Sequence, residues 1–285
     1  MDDGPGPVRR GVRSWRRAGV AEATRGLQGG PRVGRVADRP WRAADCGERA
    51  LRRQRAAGAG SGHGRCALAG APQSEVQYST PCIYERPGRR PEVIFTNWEN
   101  GITGVELQTG RVSWERRVFD ESHIECSISS PIVAGDLILG TCGYLGHGEQ
   151  TVAVRPDDAQ PDAVTKVYRV ERGAPLTPTP LVANGLLFLW ADDGIVTCVD
   201  ARTGEPVWRQ RVGGTYYGSP VAVGEAVYCV SADGEMVVIA ARREFEVLGR
   251  TPLGEVSHAT PAVANGVMYV RTVTRVMAVG GPHRE

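Results

Sequence analysis

No long stretch of this sequence repeats apolar residues at a helical spacing. Its 37 Gly in 285 residues, well above the ~7% of an average chain, argue against a framework of long helices. The motifs of several common chemistries are missing. There is no G-x-S-x-G, no P-loop, no H-E-x-x-H and no EF-hand loop, so hydrolase, nucleotide-binding, zinc-protease and calcium-switch readings lack support. None of the seven cysteines forms a C-x-x-C pair, which removes the usual zinc and dithiol signatures. The odd count leaves at least one thiol unpaired. No apolar h-region of about 7–15 residues follows Met1, as a secretory signal requires, and no segment reads as transmembrane. The formal net charge of +2 gives no overall reason to expect nucleic acid or an acidic membrane.

That small net charge averages two compositions. Residues 1–75 contain 15 Arg, no Lys and 7 acidic residues, a net of +8; the remaining 210 residues contain 19 basic and 25 acidic residues, a net of −6. The first segment is rich in Arg, Gly and Ala and poor in aromatic and β-branched residues, so burial cannot repay the entropy of ordering it. It is expected to be a disordered low-complexity arm, or not the native start of the protein. Arg without Lys against Gly and Ala is what an out-of-frame reading of GC-rich DNA produces. An organelle transit peptide and an electrostatic nucleic-acid arm are the other readings; Gly, Pro and Asp2-Asp3 weigh against the first. Without an export signal the chain as written is expected to stay cytoplasmic.

From Val76 onward short Val/Ile/Leu/Tyr runs alternate with Gly, Asn and Asp, the texture of many short strands. Five segments superimpose on Pro81, Pro131, Pro180, Pro220 and Pro261, and a second signature follows in phase, fullest in the third unit as DGIVTCVDARTGEPVWRQRV. A period near forty with four strand-length runs per unit predicts β-propeller blades. In the third unit the spacing predicts strands at 179–183, 186–191, 195–200 and 206–212. Asn184-Gly185 marks a type I′ hairpin because both of its turn residues need positive φ. Trp208 and Trp114 close their units, with Tyr168 and Leu248 in the same place in units two and four. An indole there can pack between blades and donate its N–H to a backbone carbonyl. Four blades are complete; the fifth has runs at 261–264, 267–271 and 276–279 and no fourth strand. The fold class is therefore all-β, four complete four-stranded blades plus a partial fifth, the ring incomplete and its exposed edges prone to aggregation. The expected layout is an arm at 1–75, repeats at 76–281 and a tail at 282–285.

The run Asp200-Ala201-Arg202-Thr203-Gly204-Glu205-Pro206-Val207-Trp208, with its variant ending at Thr109-Gly110 and Trp114, resembles the PQQ-type propeller repeat. It is most similar to the bacterial BamB-like branch, of the kind abundant in planctomycetes. The likeness spans 76–281, roughly the last five blades of a longer, N-terminally truncated member. It implies a non-catalytic scaffold of the cell envelope or periplasm that presents loops and sheet edges to protein partners. The alternative is a fragment of a PQQ-dependent quinoprotein dehydrogenase acting on alcohols or sugars, with PQQ held on Ca²⁺. That chemistry needs oxygen donors for a hard cation and a carboxylate base. The sequence lacks the adjacent Cys-Cys pair of those dehydrogenases, and no Glu…Asn…Asp set can be assigned. No cofactor is supported beyond the resemblance, and residues 76–281 give no reason to expect nucleic acid. The oligomeric state is open.

Among single residues, Cys198 and Cys229 fall in strand patterns and read as small core hydrophobes. Cys126 and Cys142 flank one hairpin region, where a disulfide is one option. His123, His147 and His258 read as loop residues, and Asp120-Glu121 and Tyr216-Tyr217 as solvated loops and blade packing. Tyr144, His147 and Glu149 lie in a long connection of unit two, which with the 157–166 loop is the place to seek a binding patch, since insertions in a regular repeat gather on one functional face.

Overall fold

The computed structural model describes residues 78–119, 126–144, 147–160 and 162–280. The expected arm at 1–75, the tail at 282–285, His123 and Asp120-Glu121 lie outside them. The described residues form nineteen strands and no helix.

Blade 1 comprises β1 (Cys82–Tyr84), β2 (Glu92–Asn97), β3 (Gly101–Glu106) and β4 (Val112–Arg116). Blade 2 comprises β5 (Ile132–Ala134), β6 (Leu137–Tyr144), β7 (His147–Pro156) and β8 (Val164–Val170). Blade 3 holds β9 (Leu181–Ala183), β10 (Leu186–Trp190), β11 (Ile195–Asp200) and β12 (Pro206–Arg211). Blade 4 holds β13 (Val221–Val223), β14 (Ala226–Val230), β15 (Glu235–Ala240) and β16 (Val247–Pro252). The fifth has three strands, β17 (Ala262–Ala264), β18 (Val267–Arg271) and β19 (Val276–Gly280). Each is an antiparallel sheet paired in chain order. Together they are all-β propeller blades, four complete and one three-stranded.

The third blade shows how local sequence becomes packing. Asn184 and Gly185 take φ of 52° and 74°, the left-handed pair that a type I′ turn requires. Strand β10 is an unbroken apolar run, LLFLW, buried throughout, because both of its faces are covered. Leu187 and Leu189 pack into blade 2 beside Leu137, Leu139 and Ala153. Leu186, Phe188 and Trp190 pack into blade 4 beside Val227, Cys229, Val237 and Ile239. Blades 1 and 2 share a core of Ile94, Ile102, Ile138, Val152 and Val154. Between blades 4 and 5 the core shrinks to Val230, Met236 and Val270. Fully burying one such side chain is worth about 1.5–3 kcal/mol, so the inter-blade cores hold the blades to one another.

The prolines that phase the repeat have partners the sequence reading overlooked. The residue before each proline carries a hydroxyl, and its backbone N–H donates to the hydroxyl of the corresponding residue one blade on. Thr80 N donates to Ser130 Oγ at 3.1 Å, Ser130 N to Thr179 Oγ1 at 3.2 Å, Thr179 N to Ser219 Oγ at 2.9 Å and Ser219 N to Thr260 Oγ1 at 2.8 Å. This also corrects the expected innermost strand at 179–183. The strand starts at Leu181, because the Thr179 N–H is spent on the neighbouring blade.

Candidate functional site

The fourth strands add further side-chain contacts between blades. Trp208, on β12, donates its Nε1–H to the Arg242 carbonyl of blade 4 at 3.3 Å and meets Phe245 with ring centroids 5.0 Å apart. Tyr168, on β8, donates its hydroxyl to the Ala201 carbonyl of blade 3 at 2.8 Å. Its ring lies over Gly204, where a Cβ would come within 2.4 Å of Cδ2, which explains the glycine of the Thr-Gly turn better than conformation alone. Trp114 behaves differently. It is buried in the core shared by blades 1 and 2, yet its Nε1–H goes to Glu92 Oε2 of its own blade at 3.2 Å. Arginines on the same strands reach the other way: Arg169 donates to the Val118 carbonyl and Arg250 to the Val212 carbonyl, each at 2.6 Å.

The unit-two segment expected as a long connection is instead an extended hairpin. Strand β6 has eight residues and β7 ten, and Tyr144 pairs with His147 next to the turn. His147 is thus a strand residue, which corrects its placement in a loop. A register shift beyond Cys142 sets Gly148 and Glu149 against Gly143, the two-against-one pairing of a bulge. Gly143 is required there, since a Cβ would fall 2.5 Å from the Glu149 Cα. Tyr144 is exposed and Glu149 partly so, and both lie near the hairpin tip with His147.

No disulfide joins Cys126 and Cys142; Cys126 bridges to Gly143 at the base of the hairpin. Burial pushes the Cys142 and Cys198 thiols up to about 12 and the Cys82 thiol to about 11, and raises Cys229 as well. These are core groups with little thiolate at neutral pH. Tyr216 is fully buried edge-on against Trp190, whereas Tyr217 is exposed and meets His258 with centroids 4.9 Å apart.

Two of the connections that depart from the repeat meet. Blades 2 to 5 join their first two strands through two-residue turns, whereas in blade 1 the connection is residues 85–91. The β7–β8 connection, residues 157–163, is two residues longer than its blade 3 counterpart at 201–205. Arg86 ties the two together. Its side chain, only 10% exposed, pairs with Asp158 Oδ1 at 3.0 Å and Glu92 Oε2 at 3.7 Å, donates to the Asp157 carbonyl at 3.3 Å and lies 5.4 Å over the Tyr84 ring. Arg89 donates to the Asp158 carbonyl. Arg90 binds Glu106, which the Thr109 hydroxyl and Arg90 hold below the usual carboxylate range. These residues border a cavity of about 690 Å³ lined by Arg86, Arg89, Arg90 and Arg111 and by Glu92, Glu106 and Asp162. Sequence reasoning pointed at the 157–166 loop and missed the arginine-bearing connection. The signal was there, as seven residues where sister units have a two-residue turn.

A PQQ–Ca²⁺ pair would need oxygen ligands converging on one point. Among the described residues no group of three or more His, Cys, Asp or Glu is placed to hold a metal ion. No helix among them is long and apolar enough to cross a membrane.

Residues 165–280 match the family model described as outer membrane protein assembly factor BamB. No curated protein sequence matches the chain. In structure, 507 solved chains match, an architecture too widely shared to choose a function by itself. One is BamB from Moraxella catarrhalis, at a TM-score of 0.55 and 18% identity over 71% of this chain. The match spans 58% of that BamB chain. A europium-containing methanol dehydrogenase matches at a TM-score of 0.37 and 15% identity, over 47% of this chain and 26% of its own. Residues 165–280 thus carry the sequence signature of the BamB family, and the chain shares the β-propeller fold of BamB.

Proposed function

We propose that this chain is a non-catalytic scaffold that binds protein partners in assembly at the cell envelope. The observation that carries the reading is the match of residues 165–280 to an assembly factor of the outer membrane. The packing supports it. Fourth-strand residues such as Trp208, and Trp114 through the core it shares with blade 2, serve as blade-docking groups. They leave the hairpin tip of Tyr144, His147 and Glu149 and the arginine-lined cavity as the departures from the repeat, and departures of this kind are where repeat proteins place their binding surfaces.

The test is a cross-linking capture from a membrane fraction with the full chain as bait, read by mass spectrometry. A defined envelope protein should be retained, and its retention should fall when Tyr144 and Glu149 are replaced by Ala. In parallel, PQQ and Ca²⁺ are added with an alcohol or sugar and a dye acceptor. Dye reduction that depends on PQQ would overturn the scaffold reading in favour of a quinoprotein dehydrogenase.

A further inference from the structure

We infer that Asn265 is a site of spontaneous covalent modification, where the chain converts its own asparagine to aspartate or isoaspartate. Three asparagines are followed by glycine, Asn100, Asn184 and Asn265, and a glycine, without Cβ, leaves its backbone nitrogen unhindered for attack on the preceding side chain. Asn184 and Asn265 form a controlled pair. Each opens the two-residue turn between the first and second strands of its blade, with φ of 52° and 51°, and the glycine after each stands at 74°. Their surroundings differ. Asn184 Nδ2 donates to the Ala241 carbonyl of the next blade at 3.0 Å, and Asn100 Nδ2 donates to Glu115 Oε2 at 2.7 Å. Asn265 is exposed, and its amide makes no hydrogen bond among the described residues. Its hairpin is also the less covered. Strand β17 is exposed along its length, whereas β9 is half-buried, so local opening to the reactive geometry is easier there. In the step itself the Gly266 nitrogen attacks the Asn265 side-chain carbonyl carbon. The new C–N bond forms, the Cγ–Nδ2 bond breaks, and the proton of the Gly266 nitrogen leaves with ammonia. Water then opens the resulting succinimide at either carbonyl, giving aspartate or isoaspartate with no change of oxidation state. Isoaspartate adds a methylene to the backbone of the turn that sets Ala264 opposite Val267.

To test this, the full chain is incubated in mildly alkaline buffer, native and in urea, and its tryptic peptides are compared by mass spectrometry with those of an unincubated sample. Asn265 lies in the peptide 251–271, Asn184 in 173–202 and Asn100 in 90–111. In the native chain Asn265 is expected to convert about two- to tenfold faster than Asn184 or Asn100, the factor that one hydrogen bond retained by the amide puts on the rate. In urea the three rates should converge, because each asparagine then has the same residue after it and no tether. Native conversion at Asn184 or Asn100 as fast as at Asn265 would overturn the assignment. So would the same spread of rates in urea, since local sequence and not the fold would then set them. Failure of native Asn265 to convert over the time in which the unfolded chain reacts would do so as well. None of these outcomes bears on the scaffold reading, which the capture experiment tests separately.

Discussion

Replacing Ser219 by Ala interrupts the chain of hydroxyls that links successive blades. The Ser219 hydroxyl is the acceptor for the Thr179 N–H at 2.9 Å, and the serine's own N–H, which alanine keeps, still reaches Thr260. The loss is therefore confined to one acceptor. A hydrogen bond of this kind contributes about 0.5–1.5 kcal/mol net, and stranding a partly buried donor adds to that, so S219A is expected to cost about 1–2 kcal/mol. For a folded region of this size 1 kcal/mol moves Tm by about 2–4 °C, giving a fall of about 2–8 °C. S219T is the control. Threonine serves in the same position at Thr179 and Thr260, so this variant should melt close to wild type. Differential scanning calorimetry measures the shift, and hydrogen exchange localises it, because the Thr179 amide should lose protection in S219A alone. If S219A melts within about 1 °C of wild type, or if S219T falls as far, the hydroxyls do not couple the blades.

Gly204→Ala places a methyl 2.4 Å from the Tyr168 ring at a φ of +74°, and a cost of about 1–3 kcal/mol is expected; an unchanged urea midpoint would refute the close-contact account. The Thr272 and Thr274 hydroxyls hold Glu255 below the usual carboxylate range. Its stabilising contribution is thus complete above an unfolded pKa of about 4.3 and vanishes as pH falls through the lower folded value. The gap in Tm between wild type and E255Q should accordingly be widest near neutral pH and close on acidification, and a gap independent of pH would contradict this. Cys142 and Cys198, with thiols pushed up to about 12 by burial, should resist iodoacetamide at about pH 8 in the native chain and react in urea. Peptide mass spectrometry that finds either one labelled in the native chain would count against their core placement.

The repeat was legible because blades are local objects. Strands β10, β11 and β12 begin where alternating runs and Gly-containing turns put them, and the third blade's hairpin follows from Asn184-Gly185 alone. Reading failed where one blade spends its groups on another. Thr179 looked like a strand residue because nothing nearby in the chain reveals that Ser219, forty residues on, takes its N–H. His147 looked like a loop residue because glycines flank it, and only the pairing with Tyr144 and the bulge at Gly148 and Glu149 carry the hairpin so far. Trp114 and Trp208 occupy the same place in the repeat, yet one indole stays in its own blade while the other crosses to the next. Their neighbours differ: Glu92 offers Trp114 a nearby carboxylate.

Local sequence was enough to place the blades of the described residues and the turns within them. These depend on φ preferences and on apolar alternation within a few residues, interactions that short segments carry on their own. Only packing between blades brings the connection at 85–91 onto Asp157 and Asp158, beside an arginine-lined cavity. The two lie about seventy residues apart on different sheets. Their meeting follows from the stacking of blade 1 on blade 2, set by the buried core of Ile94, Ile102, Ile138 and Val152, and Arg86 and Arg89 then tie the two loops together.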